Sequence, residues 1–331
     1  MNEPKSSPET TLARAADFLA RHIAVSEKAA IHHVYAPAAA LAGGVRVGDD
    51  CAAIPDGDQF LLFAAEGMRE SFVAADPWFA GYSAVMVNLS DVAAMGGRPL
   101  AVVDVLWTPD LPQSAPIWEG MAAASRAYGV PIVGGHTTIT RAGVPFLAAA
   151  VLGKASRLIT SFDARPGDDL LMAVDLRGAY QGDQPFWNAS TSAPPERLRT
   201  DLALLPEIAG RGWCRAGKDI SNGGIVGTLT MLLECSGGGA ELWLDRLPKP
   251  DGADLERWLV SFPSFGFLLS VSPAATAQVA TLFQQRGIAC AAVGRVTAGR
   301  SLVLAYESAR MEFTPGTAAW GTANLRSSIA P

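Results

Sequence analysis

Apolar side chains recur along the first hundred residues with two different periods. "LARAADFLARHI" (12–23) repeats them every three to four positions and predicts an amphipathic helix. The predicted apolar stripe comprises Leu12, Ala16, Leu19 and Ile23. The same period from Trp78 to Met95 predicts a longer helix, which "GGRP" ends because proline cannot continue a helical turn. Short apolar runs at 60–68 and 100–109 predict buried strands.

The alternation continues to the end of the chain and changes character near residue 155. A helix over 116–129 precedes two strands, "VPIVGGHTTIT" and "VPFLAAAVLGKA", which we expect to pair around a turn at Arg141–Gly143. "RPGDDLLMAVDL" then opens a new strand, followed by a polar loop over 176–195, helical residues over 196–216 and further helices and strands. The pattern predicts an α+β protein with two domains, residues 1–155 and 156–331.

Composition excludes several classes of protein. Hydrophobic residues make up 49% of the 331 positions and mean hydropathy is +0.20, which argues against a disordered or fibrous chain. The net charge of −6 and the absence of a long basic run argue against a nucleic-acid partner. The polar N-terminus and short apolar runs predict a protein without a signal peptide or membrane span. Four scattered cysteines favour reduced thiols and a cytoplasmic location.

Two acidic motifs stand out against this apolar background. "GDD" places Asp49 and Asp50 side by side after Gly48, where a bend can direct both carboxylates at one cation. The alternative is a solvated turn. "NLSD" places Asn88 and Asp91 on one face of an apolar helix, where burial would require a partner such as Mg²⁺. The alternative is a polar helix edge in contact with water.

Two glycine motifs are candidate phosphate sites. In "GGHTT", Gly134 and Gly135 allow backbone N–H groups to approach phosphate oxygens, and Thr137 is a candidate phosphate contact. His136 is a candidate acid–base residue or metal ligand, although a single histidine is more often structural. "DISNGG" opens a helix with Asp219 as a candidate metal ligand, or with its polar residues as simple helix caps. The sequence contains no Walker A motif and no GxGxxG.

The order of these motifs resembles one superfamily over roughly residues 45–300. "GDDCAAI", an acid after a strand at Glu66, "NLSDVAAMGGRPLA", "GGHTT" and "DISNGG" follow one another as in the aminoimidazole ribonucleotide (AIR) synthetase superfamily, which includes thiamine-monophosphate kinase and selenophosphate synthetase. The resemblance implies a two-domain α+β fold whose N-terminal domain forms the interface of a homodimer and whose C-terminal domain backs a sheet with helices.

The resemblance also implies ATP and several Mg²⁺ ions as cofactors. The acids that match its metal-binding positions are Asp49, Asp50, Glu66, Asp91 and Asp219. The residues that would line the nucleotide phosphates are Asn88, Gly134, Gly135 and Thr137. His136, where the kinase has an aspartate, would orient the acceptor or act as a base.

These assignments predict ATP- and Mg²⁺-dependent phosphoryl transfer to an oxygen of a small metabolite, of the kinase or synthetase type. Two departures keep an alternative open: His136 and Glu66 each replace an aspartate, which favours a catalytically inactive nucleotide-binding partner or regulatory subunit. A small-molecule-binding fold without nucleotide is a third alternative. Residues 1–44 contain no cysteine, so the reactive leader of selenophosphate synthetase is absent.

Overall fold

The first half of the chain forms a five-stranded sheet. The computed structural model describes residues 7–28, 41–140, 143 and 145–315. The strands are β1 (Ala52–Asp56), β2 (Gln59–Gly67), β3 (Arg98–Thr108), β4 (Ile132–Ile139) and β5 (Phe146–Ala155). They lie in the order β1-β2-β5-β3-β4, so that β1 and β4 are the edges. The alternating burial of β5 shows that one face of this sheet is covered and the other is open.

Two long helices cover the inner face of this sheet. The helix Pro77–Ala94 agrees with the prediction, whereas Leu111–Tyr128 begins five residues before the predicted start at 116. The two helices pack closely, and a side chain at Gly81 or Gly120 would collide with the facing backbone. The predicted pairing of the strands on either side of Arg141–Gly143 is wrong. The helix Leu111–Tyr128 carries the chain across, so β4 runs parallel to β3, and β5 lies between β2 and β3. Part of that turn lies outside the described residues.

The outer face of the five-stranded sheet is apolar and exposed. Phe63, Trp107, Phe146 and Leu152 project from this face, and between 37% and 51% of each is exposed. The rings of Trp107 and Phe146 pack edge to face with centroids 5.4 Å apart. No described part of the chain covers these side chains, so they remain in contact with water.

The second half of the chain forms a seven-stranded sheet in the order β15-β14-β10-β13-β6-β12-β9. Its strands are β6 (Asp169–Val174), β9 (Cys214–Asp219), β10 (Gly239–Trp243), β12 (Gly266–Val271), β13 (Ala289–Thr297), β14 (Leu302–Tyr306) and β15 (Ala309–Phe313). Its helices are Pro195–Leu202, Leu204–Arg211, Gly224–Ser236, Leu255–Leu259 and Thr276–Gln284, with a 3₁₀ turn at Leu244–Arg246. The prediction of helix over 196–216 extends too far, because Gly212 ends the second helix with a left-handed backbone and β9 follows.

The segment 176–195, predicted as a loop, contributes to a third, small sheet. Within it β7 (Ala179–Tyr180) pairs with β8 (Phe186–Asn188), and β8 also pairs with β11 (Phe262–Pro263). Gln181 Nε2 donates to Asp76 Oδ2 at 3.0 Å. The small sheet is thereby tied to the start of the long helix of the first half.

The N-terminal helix Pro8–Arg21 packs on the seven-stranded sheet. Leu12 and Leu19 are buried with residues of β14 and β15. The predicted division after residue 155 groups this helix with the first half, whereas its apolar side contacts the second. Ile23, assigned to the apolar stripe, is 64% exposed because the helix ends at Arg21. Among the described residues, no helix combines the length and apolarity that crossing a bilayer requires.

Candidate active site

A cavity of about 760 Å³ lies between the two halves of the chain, within the size range of small-molecule sites. Three carboxylates from distant parts of the sequence meet in it. Asp50 comes from the loop before β1, Asp91 from the helix Pro77–Ala94 and Asp219 from the end of β9. One carboxylate oxygen from each lies within 4.8 Å of the other two. The cavity therefore has an acidic floor made by both halves.

The loop that carries Asp50 is fixed by its neighbour Asp49. Gly48 has φ of +116°, which favours glycine and bends the chain before the two acids. Asp49 accepts hydrogen bonds from the backbone N–H and the hydroxyl of Ser161, at 2.8 and 2.6 Å. Burial and the neighbouring Asp50 raise the pKa of Asp49 to about 6. Asp49 thus anchors the acidic loop to the second half of the chain.

Asp50 is paired with the buried Lys218. Lys218 Nζ donates to one Asp50 oxygen and to Ser161 Oγ at 3.1 Å, while the backbone N–H of Asp219 donates to the other at 3.3 Å. Burial alone would lower the pKa of Lys218, but Asp50 and Asp49 outweigh it and raise that pKa. Lys218 therefore remains a cation and offsets part of the negative charge.

Asp91 lies in a helix that is buried almost throughout its length. Its Oδ2 atom has no hydrogen-bond partner among the described residues. Burial, followed by the charges of Asp219 and Glu66, raises the pKa of Asp91 well above its usual value. The alternative of a helix edge in contact with water is wrong, since Asp91 and Asn88 are both buried. An unpartnered buried carboxylate costs free energy and calls for a cation.

Asn88 connects the same helix to the sheet. Its Nδ2 donates to the carbonyl oxygens of Ala84, at 2.8 Å, and Ala149 of β5, at 3.3 Å. Asn88 does not line the cavity, and its Oδ1 has no partner among the described residues. Asn88 therefore ties the helix that carries Asp91 to β5 and does not reach the cavity where a phosphate would bind.

Asp219 and Glu66 add further negative charge. Burial, followed by the charge of Asp50, raises the pKa of Asp219 to about 8. Burial also raises the pKa of Glu66, with Lys28 opposing the shift. Asp219 ends β9 and does not cap the next helix, whose N-cap is Gly223. The alternative that "DISNGG" only caps a helix is therefore wrong for Asp219.

The acidic floor has the composition of a divalent-cation site. Oxygen ligands from several carboxylates are what Mg²⁺ prefers, and a cation would both partner Asp91 Oδ2 and offset the repulsion between the three acids. The residues present therefore fit Mg²⁺, with Asp50, Asp91 and Asp219 as its candidate ligands. Asp49 and Glu66 also line the cavity.

Lys28 brings a further positive charge to the cavity from the N-terminal segment. Its Nζ donates to Ser221 Oγ at 3.0 Å, and its side chain lies against Gly223 and Gly227. The helix Gly224–Ser236 starts beside it with no side chain capping its first turn. A lysine next to an uncapped helix N-terminus is suited to an anion.

The "GGHTT" residues lie away from this cavity within one chain. Gly134, Gly135, His136 and Thr137 are all exposed in the edge strand β4, and none lines the cavity. His136 Nε2 is 3.2 Å from Thr138 Oγ1. Gly135 has a structural explanation, because a Cβ atom there would lie 2.1 Å from the carboxylate of Asp104 on β3.

The sequence matches two family domains that together cover most of this architecture. Residues 48–155 match the N-terminal domain of the AIR synthase related proteins, and residues 176–307 match the C-terminal domain. The chain belongs to the AIR synthase related family. The resemblance carried by the order of the motifs is confirmed, as is the two-domain AIR synthetase-like α+β fold.

Relatives of this AIR synthase related protein include proteins with and without an assigned activity. It is 50% identical over 261 residues to uncharacterized protein sll0787 of Synechocystis sp., covering 78% of this chain and 81% of the relative. It is 25% identical over 274 residues to selenide, water dikinase of Carboxydothermus hydrogenoformans, covering 70% and 79%. The structure of T. maritima PurL complexed with ATP superimposes with a TM-score of 0.70 at 22% identity, over 80% of this chain and 46% of PurL. The chain thus spans about half the length of PurL.

Three residues that line the cavity or hold its acids in place are not singled out by the sequence. Lys28, Ser161 and Lys218 contact the acids or the glycine loop through side chains that are distant in sequence. The one local signal is Lys218 in "AGKD", directly before Asp219. Without the fold, a lysine beside an aspartate resembles an ordinary exposed ion pair.

Proposed function

We propose that this AIR synthase related protein binds ATP with Mg²⁺ and transfers a phosphoryl group to an oxygen of a small metabolite. The observation that carries the proposal is the cluster of Asp50, Asp91 and Asp219, in which Asp91 Oδ2 has no hydrogen-bond partner in the part of the chain that the structure describes. Burying three acids together destabilises the protein unless a cation is bound there. A kinase among the relatives supports the class of reaction.

The chain's own residues would position the reactants. Asp50, Asp91 and Asp219 would hold Mg²⁺, with Asp49 fixing the loop and Glu66 close by. When bound, Mg²⁺ would neutralise negative charge on the phosphates. Lys218 would keep Asp50 oriented through their ion pair. The role of these residues is positioning and charge balance, which is most of what phosphoryl transfer requires of a protein.

Lys28 would bind a phosphate of the nucleotide. It faces the same cavity as the acids and lies beside the uncapped helix that begins after Gly223. A phosphate there would receive a charge-assisted hydrogen bond from Lys28 and the favourable field of the helix N-terminus. The proposed phosphate contact thus comes from a segment outside both matched family domains.

A homodimer formed through the outer face of the five-stranded sheet is part of the proposal. Phe63, Trp107, Phe146 and Leu152 form an exposed apolar surface on that face, which a second copy would bury. His136 projects from the same face, because it pairs with Val105 in register. The proposed phosphate contacts of β4 and the catalytic role of His136 would therefore depend on a partner subunit.

The test is calorimetric titration of the full chain with ATP in the presence of Mg²⁺, then with Mg²⁺ replaced by EDTA. We expect binding that requires Mg²⁺, together with slow ATP hydrolysis or transfer to an acceptor from a metabolite panel. Mg²⁺-dependent binding with no turnover on any acceptor would favour the catalytically inactive nucleotide-binding partner. Absence of ATP binding would contradict the proposal, including the binding role common to both alternatives.

A further inference from the structure

The cavity has a second, chemically different end. Of the six phenylalanines that line the cavity, four contact one another there, and we call them the aromatic wall: Phe72, Phe79, Phe186 and Phe262. Phe79 is 3% exposed, whereas the other three are only partly buried. The first half of the chain supplies two of these rings and the small sheet of the second half supplies the other two.

The rings of the wall contact one another in a continuous series. The centroids of Phe72 and Phe186 are 4.9 Å apart, those of Phe72 and Phe79 5.8 Å, and those of Phe186 and Phe262 6.1 Å. Their interplanar angles of 50° to 77° are those of tilted and edge-to-face pairs. A further flat ring can extend such a series with the same geometry.

The backbone holds the wall in place from both sides. Phe186 and Phe262 are paired in register across β8 and β11. Asp76 caps the helix that carries Phe79 and also accepts the hydrogen bond from Gln181 of the small sheet. The polar, proline-bearing segment 176–195 therefore contributes an aromatic side chain, Phe186, to the lining of the cavity.

We propose that the aromatic wall binds a planar ring without negative charge, which belongs to a ligand of this cavity. The apolar ring surfaces of Phe72, Phe186 and Phe262 remain incompletely buried, so covering them with a flat ring would remove apolar area from water. The faces of the rings are electron-rich, and the nearby Arg69 is already paired with Glu27, which together disfavour an anionic ring. This inference rests on the proposed function for its location, since the ring belongs either to the acceptor metabolite or to the nucleotide base.

The experiment measures the binding of three probes by ligand-observed NMR. Benzamide is a flat, neutral ring, benzoate is its anionic counterpart, and cyclohexanecarboxamide has the same polar group on a non-planar ring. We expect the full chain to bind benzamide at least about fivefold more tightly than either of the others. Equal affinity for benzamide and cyclohexanecarboxamide would overturn the proposal.

Variants locate the binding to the wall. Phe186→Leu and Phe262→Leu keep apolar volume and remove the ring, so we expect folded proteins whose affinity for benzamide is at least about fivefold lower. Phe60→Leu is the matched control, because Phe60 is also partly buried but does not line the cavity. Unchanged benzamide affinity in both wall variants, with thermal melts that show an intact fold, would overturn the proposal.

A nucleotide analogue distinguishes the two sources of the ring. If benzamide still binds when the protein is saturated with Mg²⁺ and AMPPCP, the ring belongs to the acceptor. If AMPPCP and adenosine both displace benzamide, the wall holds the nucleotide base; either result agrees with a ring-binding wall. Failure of the proposed function would look different, because the wild-type chain would then bind benzamide but no AMPPCP.

Discussion

Two motifs that looked equally polar in the sequence occupy opposite environments in the fold. "NLSD" lies in the buried helix Pro77–Ala94 and directs Asp91 into the cavity between the halves of the chain. "GGHTT" forms the exposed edge strand β4, with His136 on the apolar outer face of the sheet. Both motifs belong to the first half, and both were assigned to one site by resemblance.

The difference reflects what surrounds each polar group. A carboxylate inside an apolar helix cannot be hydrated, so its presence there has a free-energy cost that a bound cation would offset. Polar residues in an edge strand are hydrated without cost and carry no such implication. Asp91 is therefore informative from a single chain, whereas the role of His136 depends on what covers the sheet.

The largest effect should come from Asp91. Asp91→Asn removes a candidate Mg²⁺ ligand, and we expect Mg²⁺-dependent ATP affinity to fall by about 100-fold or more in calorimetric titrations. The melting temperature without Mg²⁺ should not fall, because the substitution also removes a buried, unpartnered carboxylate. Asp58→Asn, in the exposed turn between β1 and β2, is the matched control. If Asp91→Asn binds ATP with wild-type affinity, the buried "NLSD" motif has no greater role in binding than the exposed "GGHTT" motif.

The acidity of the cavity gives the next largest effect. Burial raises the pKa of Asp219 from 3.8 to about 8, so between those values the folded chain binds more protons than the unfolded one. The free energy of unfolding without Mg²⁺ should therefore decrease as pH rises through this window. Mg²⁺ requires the ionised acid, so its affinity should rise by about tenfold per pH unit below 8, approaching a plateau above it.

Titrations with Mg²⁺ between pH 6 and pH 9 measure this dependence. Asp219→Asn should reduce the slope of the profile, although Asp91 still titrates in this variant. A wild-type affinity that is independent of pH would contradict the assignment of Asp219 to the cation site.

Removing the charge of Lys28, in the N-terminal segment, should have a smaller effect on ATP affinity. Lys28→Met removes the charge and keeps the length, and we expect ATP affinity to fall by about tenfold with little change for AMP. Ser221→Ala is the matched control, because it removes the hydrogen bond to Lys28 and leaves the charge. If both variants lose thermal stability and neither changes ATP affinity, Lys28 only attaches the segment to the second half.

The smallest effect should come from the edge strand. His136→Ala should leave Mg²⁺-dependent ATP affinity within about twofold of wild type in an isolated chain, because His136 does not line the cavity. Sedimentation at several protein concentrations identifies the oligomeric state in the same samples. A loss of affinity that appears only in the dimer would show that β4 reaches a site in the partner subunit.

Sequence patterns predicted the long helices and most strands because their apolar periods are strong. The long helix that carries Asp91 was predicted to within a residue at each end. Strand order was not predictable, because β4 and β5 are adjacent in sequence and yet do not pair, while β3, which precedes both, pairs with each of them. The ion pair between Asp50 and Lys218 joins residues 168 positions apart, and no local sequence pattern predicts it.

Asp49 has a consequence for how the two halves depend on one another. Its carboxylate accepts both hydrogen bonds from Ser161, and Lys218 donates to the adjacent Asp50. The conformation of the loop before β1 therefore depends on residues that follow it by more than a hundred positions. Severing the chain after Arg157 would leave an N-terminal fragment in which Asp50 lacks its ion pair with Lys218. We expect the two fragments to regain cation affinity only when mixed, which makes divalent-ion binding a sensor of domain reassembly.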